Sequence, residues 1–204
     1  MIDILFVCTG NMCRSPMAEA LFQERLRRDY PHLEPFVLAH SAGTSAVEGN
    51  PATSSAVQTM DLWGIDLESH RASELTPGLL RGADLVVVMA REHLLSIGRL
   101  EPDALERSVA LKHVAGVEKE LLTELGEGPV LDEEEVRRRL GRTLELLRGL
   151  SPQDGFLADI ESGASDIIDP IGGSLRVYLG VAEDIDGSLE GAMRVFFGVP
   201  RAQG

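Results

Sequence analysis

The chain has 204 residues, 44% of them hydrophobic and 25% charged, the balance of one globular domain with a full core. A formal net charge of −14 leaves no basic footprint, which argues against nucleic acid as a partner. The two cysteines, Cys8 and Cys13, lie in one stretch; this excludes a disulfide framework and fits a reducing cytoplasm.

The first apolar run, Ile2 to Val7, is too short for a signal peptide or a spanning helix, so no membrane partner is expected. It reads as strand one. The segment Cys8-Thr9-Gly10-Asn11-Met12-Cys13-Arg14-Ser15-Pro16 follows as a tight loop. A helix comes next, with Met17, Ala18, Leu21, Phe22 and Leu26 on one stripe, ending near Asp29. Ser15 is expected to N-cap it, with Pro16 at the first helical position.

Residues 36–40 read as strand two, with Ser41-Ala42-Gly43-Thr44 turning out of it. A helix is predicted over 51–62 and a short one near 77–81. The near-continuous apolar run from Ala83 to Met89 suits a central strand buried on both faces. A helix over 91–99 and a fourth strand over 108–112 follow. This alternation predicts an α/β fold: a four-stranded parallel sheet with helices on both faces.

From about 114 to 165 the composition changes to Leu-rich helical pieces between acidic turns. Asp132 and Glu135 form a capping pair that opens the clearest helix. Val136, Leu140, Leu144 and Leu147 make its stripe, and Glu133, Glu134 and Glu135 stand four residues before Arg137, Arg138 and Arg139. Such pairs contribute only ~0.2–0.5 kcal/mol each. Gly149 is expected to end the helix, and 151–166 to form a long loop. The segment is expected to make a lid or partner surface beside the cleft, because it precedes Asp169-Pro170. A last helix is predicted from Leu175 to Phe196, with Gly180, Gly187 and Gly191 interrupting its pattern. The whole chain, 1–204, is expected to be one domain carrying a helical insertion at about 114–165.

The chemistry concentrates in the first loop. A strand-to-helix junction gathers backbone N–H groups and the positive end of a helix dipole at one point. Those of Thr9, Gly10, Asn11, Met12, Cys13, Arg14 and Ser15 can surround a phosphate, and Arg14 can grip two oxygens bidentately. Cys8 supplies a nucleophile whose reactive form is the thiolate, favoured by the helix end, by Arg14 and by a hydroxyl bond from Ser15. Gly10 allows a close turn, and Asn11 tolerates a left-handed conformation. Asp169, stiffened by Pro170, can protonate a leaving group and then activate water against a phosphocysteine. A cysteine after a strand is ordinarily a core residue and an Asp-Pro pair ordinarily a turn. Here each is accompanied by the other and by Arg14. His32, His40, His93 and His113 read as surface or packing residues. No His/Cys cluster has metal spacing, so neither metal nor cofactor is expected.

The loop Cys8 to Pro16 resembles the signature of the low-molecular-weight protein tyrosine phosphatases, a family that includes bacterial protein-arginine phosphatases and arsenate reductases. Further similarity lies in Ser41-Ala42-Gly43, in Gly64-Ile65 followed by Ser69-His70-Arg71-Ala72, in Ala83-Asp84-Leu85-Val86, and in Asp169-Pro170 with Gly172-Gly173-Ser174 and Tyr178. The resemblance implies hydrolysis of phosphotyrosine-type monoesters on proteins or peptides, with Cys8 as nucleophile, Arg14 as phosphate ligand, Asp169 as general acid/base and Ser15 as thiolate stabiliser. It further implies that Ser41 and His70 hold Asn11 and that Cys13 is a redox partner of Cys8. Two positions depart from the tyrosine-phosphatase pattern: Val47 and Ile171 stand where aromatic cleft walls are expected. In the family a branched apolar residue at the Met12 position goes with phosphotyrosine and threonine with phosphoarginine, so protein-arginine phosphatase is the alternative. Arsenate reduction needs resolving cysteines beyond Cys13, and a non-catalytic phosphate-binding module needs neither Cys8 nor Asp169.

Overall fold

The computed structural model describes residues 1–150 and 166–200. Four parallel strands, β1 (Ile2–Cys8), β2 (Val37–Gly43), β3 (Leu85–Val88) and β4 (Ser108–Ala110), form one sheet in the order β2-β1-β3-β4. The eight described helices are α1 (Arg14–Asp29), α2 (Ser54–Asp61), α3 (Pro77–Gly82), α4 (Glu92–Leu100), α5 (Leu111–Gly116), α6 (Glu118–Leu125), α7 (Glu133–Leu150) and α8 (Leu175–Phe197).

The period of two along β1 sorts its side chains between two cores. Ile2, Ile4, Phe6 and Cys8 face a large core with α1, α2, α5, α6, α7 and α8; Leu5 and Val7 face a smaller one built with α3 and α4. In β3, Leu85 and Val87 join the first core, Val86 and Val88 the second. A strand buried on both faces needs an apolar residue at every position, and that is the run seen in the sequence.

Element boundaries moved where hydrogen bonds decide them. β2 runs through Ser41-Ala42-Gly43 instead of turning there, because Cys8 pairs with Gly43 at the carboxyl end of the sheet. The second helix starts at Ser54, where Thr53 accepts from the Ala56 amide. β4 stops at Ala110, and α5 begins at the next residue. α8 is one continuous helix of 23 residues despite its glycines. Tyr178, Ala182, Ile185, Leu189, Met193 and Phe196 on its stripe are buried, whereas Leu175 is exposed.

The described part of the Leu-rich segment, 114–150, packs into the fold instead of forming a lid over the cleft. Val136, Leu140 and Leu147 enter the large core. α7 passes the opposite rim of the sheet, where Arg137 reaches Asp84 and the Met1 carbonyl, and Arg148 reaches the Glu106 carbonyl. Asp132 caps α7 as expected, accepting from the Glu135 amide at 2.9 Å. Glu133 pairs with Arg137, but Arg139 leaves the surface charge pattern altogether. It is buried and donates to the carbonyls of Val195, Leu125 and Gly126. The helix extends past Gly149 to Leu150, and the loop expected over 151–166 lies almost wholly outside the described residues. Among the described residues no helix is long and apolar enough to cross a membrane.

Candidate active site

Parallel α/β sheets place ligands at the carboxyl ends of their strands. Here that end holds the loop between β1 and α1. Cys8 closes β1, and Arg14 and Ser15 open α1; all three are nearly inaccessible to solvent. Ser15 is not the helix cap. Cys13 occupies that position, without a side-chain hydrogen bond to the first turn, and Pro16 sits third in the helix instead of first. The Ser15 hydroxyl is used elsewhere. Its oxygen lies 3.0 Å from Cys8 Sγ and accepts from Asn11 Nδ2 at 2.8 Å. With that acceptance made, the hydroxyl proton can be donated to the sulfur, the Ala42 carbonyl at 3.4 Å being the competing acceptor. The Asn11 amide N–H adds a second donor to Cys8 Sγ, at 3.3 Å. The Ser15 hydroxyl and the Asn11 amide thus converge on one sulfur.

Asn11 is fully buried and has φ of +50°, the left-handed conformation that asparagine tolerates better than most residues. Its side chain donates to Ser41 Oγ as well as Ser15 Oγ, and its Oδ1 accepts from the Ser73 amide at 2.8 Å. His70 Nε2 donates to its carbonyl at 2.7 Å. Ser41 and His70 therefore stand where the resemblance placed them. The tight approach under the loop belongs to Gly43, not Gly10. A Cβ on Gly43 would lie 2.6 Å from the Thr9 carbonyl and 2.8 Å from the Asn11 amide, whereas one on Gly10 would meet open space. Met12 is half-buried, and its carbonyl accepts from the Thr53 amide.

Arg14 reaches across the loop. Its Nη2 donates to Asp169 Oδ2 at 2.6 Å and to Thr9 Oγ1 at 3.3 Å; its Nη1 donates to the Ile167 carbonyl at 3.2 Å. The guanidinium is buried, while the Asp169 side chain is 42% exposed. The segment before Asp169 is fixed by the turn after β3. The Ile167 amide donates to the Met89 carbonyl, and Asp166 accepts from the Arg91 amide.

Three side chains in this region have no role assigned from the sequence, although Tyr178 is among the positions that carry the resemblance. His93, on the first turn of α4, is buried and lies 3.1 Å from Thr9 Oγ1. Burial, then the nearby Arg14 charge, push its pKa down to about 4, so it is neutral at ordinary pH. Tyr178 and Thr53 surround Cys13: its Sγ lies 3.4 Å from Tyr178 OH and 3.4 Å from Thr53 Oγ1. Burial raises the Cys13 pKa despite these bonds, which keeps that thiol protonated; burial, then the Cys13 bond, push Tyr178 up to about 12. Val47 and Ile171, the positions at which the resemblance expects aromatic cleft walls, are exposed. Among the described residues no group of three or more His, Cys, Asp or Glu side chains is arranged to hold a metal ion. A buried sulfur with two donors, a fixed guanidinium and an accessible carboxylate together can bind an oxyanion, attack its centre and move a proton.

Comparison with known proteins gives the same picture. The sequence model of the family described as low molecular weight phosphotyrosine protein phosphatase matches residues 3–148. A probable low molecular weight protein-tyrosine-phosphatase of Ralstonia solanacearum is 49% identical over 86 residues, covering 42% of this chain and 54% of that protein. The match thus spans about half of that relative's length. A protein-arginine-phosphatase of Bacillus subtilis is 44% identical over 92 residues, 45% of this chain and 58% of its own. The crystal structure of a low molecular weight protein tyrosine phosphatase from T. tengcongensis superposes with a TM-score of 0.65 at 30% identity, over 95% of this chain and 99% of that one.

Proposed function

Because the chain belongs to the low molecular weight phosphotyrosine protein phosphatase family, we propose that it hydrolyses phosphotyrosine-type monoesters on proteins or peptides through a phosphocysteine on Cys8. The single observation that carries this reading is the convergence on one loop of the Cys8 sulfur, the Arg14 guanidinium and the Asp169 carboxylate.

In this mechanism the Cys8 thiolate attacks phosphorus while Arg14 and the backbone N–H groups from Thr9 to Ser15 hold the equatorial oxygens. Charge that builds on those oxygens meets donors already in place, the arrangement that contributes most to such catalysis. Asp169 leaves Arg14 as the phosphate enters, takes up a proton from water, and gives it to the departing oxygen. The resulting carboxylate then takes a proton from water, which displaces Cys8 from phosphorus. Ser15 stabilises the thiolate as it attacks and as it leaves. Ser41 and His70 act through Asn11, which keeps the loop in its left-handed turn. Cys13 is the redox partner that captures an oxidised Cys8 before it reaches irreversible acids. Residues 1–204 form one phosphatase domain, and the helices within 114–165 are its elaboration.

A second reading, protein-arginine phosphatase, is favoured by the rim. Val47 and Ile171 offer apolar contact without the flat ring stacking that a phenyl phosphate would use. The Bacillus subtilis relative bears that name.

The test is turnover of phosphotyrosine and phosphoarginine peptides side by side, with arsenate reduction as a control. Cys8→Ser is expected to abolish hydrolysis. Equal turnover of para-nitrophenyl phosphate by wild type and Cys8→Ser would sink the mechanism; a higher rate on phosphoarginine would select the second reading.

A further inference from the structure

Arg14 works only if its guanidinium stays aimed into the loop, and Asp169 cannot hold it there during the reaction, since phosphate must take its place. The remaining partners are the Ile167 carbonyl at 3.2 Å and Thr9 Oγ1 at 3.3 Å. A threonine hydroxyl is a rotor. It is a fixed acceptor only when something else determines where its lone pairs point.

We infer that His93 is a positioning residue for Arg14, acting through Thr9: its ring donates to Thr9 Oγ1 and thereby fixes the acceptor that holds the guanidinium. The direction of the bond follows from the other ring nitrogen. The Ala90 amide donates to His93 Nδ1 at 3.1 Å, so Nδ1 is the unprotonated nitrogen and Nε2 carries the hydrogen. Nε2, 3.1 Å from Thr9 Oγ1, is then the donor. Thr9 Oγ1 accepts from His93 on one side and from Arg14 on the other. His93 is 2% exposed, so no water competes for this bond from the ring side.

The same turn also fixes the other half of the site. Flanking Ala90, the Met89 carbonyl accepts from the Ile167 amide and the Arg91 amide donates to the Asp166 carboxylate. Ile167 in turn supplies the carbonyl to Arg14 Nη1. Both neutral acceptors of Arg14 are therefore tied to the residues 89–93, one through a histidine ring and one through the backbone. The charged groups facing His93 are Arg14, Asp169 and Glu92, whose Oε1 lies 3.9 Å away on a largely exposed side chain. None of them replaces the contact to Thr9.

This inference rests on the phosphate-binding role proposed for Arg14, but its readout is the binding of inorganic phosphate, which needs no turnover. His93→Leu is expected to weaken phosphate binding by roughly tenfold, because Thr9 is no longer fixed as the acceptor of its hydrogen bond from the Arg14 cation, measured by calorimetry. His93→Gln, whose amide can donate from near the position of Nε2, is expected to recover most of the affinity. Thr9→Val should reproduce the loss, and the His93→Leu/Thr9→Val double variant should bind no worse than either single one. In turnover of para-nitrophenyl phosphate the loss should fall on both KM and kcat, since Arg14 holds ground state and transition state alike.

Additive losses in the double variant would overturn the assignment, as would unchanged phosphate affinity in His93→Leu or no recovery in His93→Gln. If His93→Leu fails to fold, Thr9→Val carries the comparison: Thr9 is only partly buried, and wild-type affinity in that variant overturns the assignment equally. Absence of turnover alongside His93-dependent phosphate binding would remove the phosphatase reading and leave this one standing.

Discussion

Arg14 Nη2 and Asp169 Oδ2 lie 2.6 Å apart although 155 residues separate them in the chain. The pair joins the proposed phosphate ligand to the proposed general acid. An entering phosphate exchanges one anion for another on the guanidinium. The exchange limits affinity, and in the proposed mechanism it frees the carboxylate to take up the proton that it later gives to the leaving group.

Asp169→Ala is accordingly expected to lower turnover and to tighten inorganic phosphate binding severalfold, because Arg14 no longer has a resident partner. The rate loss should be larger for alkyl phosphates than for para-nitrophenyl phosphate, whose leaving group needs little protonation. Phosphate inhibition constants and rates across a leaving-group series check both effects. Weaker phosphate binding in the variant would contradict the exchange.

Asn11→Ala removes a side chain that bonds Ser15, Ser41 and the Ser73 amide, and puts a Cβ-bearing residue without local hydrogen bonds at φ of +50°. Buried groups left unpaired cost about 1–3 kcal/mol each. A stability loss of roughly 2–4 kcal/mol by denaturant unfolding is expected, with a larger fall in turnover, since the bond to Ser15 that frees its proton for Cys8 disappears. Gly43→Ala strikes the same loop from below, through backbone atoms that cannot rotate away. Its expected signature is lost turnover in a protein that still unfolds cooperatively.

Arg139→Met tests a part of the molecule remote from catalysis. The guanidinium gathers carbonyls from the end of α6 and from the last turn of α8, where helix dipoles present negative charge. Removing it leaves those acceptors buried without a donor and is expected to cost about 2–4 kcal/mol of stability. Steady-state constants measured well below the unfolding transition should stay at wild-type values. A stable variant would mean that the retained methylene packing, not the hydrogen bonds, carries the contribution of Arg139.

The neutral state of His93 has a stability signature of its own. Its folded pKa is about 4 against the usual 6.5, so over that interval the unfolded chain binds a proton that the folded one refuses. Stability should therefore be unaffected above pH 6.5 and fall as the pH drops towards 4, by up to about 3 kcal/mol. His113, pushed down by burial and then by Arg91, adds a fall of the same sign. The part due to His93 is the difference between wild type and His93→Gln in urea unfolding across this range. Parallel profiles for the two would refute the assignment.

The sheet and the loop were legible because their physics is local. An apolar run, a strand-to-helix junction and the company of Cys8, Arg14 and Ser15 lie within the first two dozen residues. Asp169 was legible because Pro170 marks it. His93 was not, since a lone histidine on an amphipathic helix looks the same whether it packs or donates; only the third dimension puts Thr9 against it. Ser15 was misread as a cap because the sequence pattern of a capping serine does not reveal that Cys8 and Asn11 compete for its hydroxyl. Arg139 was misread for a similar reason. Its spacing from Glu135 fits an exposed ion pair, yet the two helix ends that meet beside it offer more acceptors than a carboxylate would. Glycine misled in the same way: the loop's own Gly10 is the visible one, while Gly43 lies in a strand and is required by what passes over it.

The strand order β2-β1-β3-β4 has a consequence for a chain as it is being made. β1 is central, yet it emerges before either neighbour, so Cys8 is available before the sheet that buries it. At ribosomal speed of roughly 5–20 residues per second, the 155 residues from Arg14 to Asp169 take on the order of ten to thirty seconds. Throughout that interval the nascent chain carries the proposed nucleophile without its proposed acid. A thiol that must survive synthesis unsheltered, before the core closes around it, is most vulnerable to oxidation while the fold is incomplete. Pulse labelling of ribosome-bound chains with a thiol reagent should find Cys8 open until β3 has emerged and closed once α8 has docked.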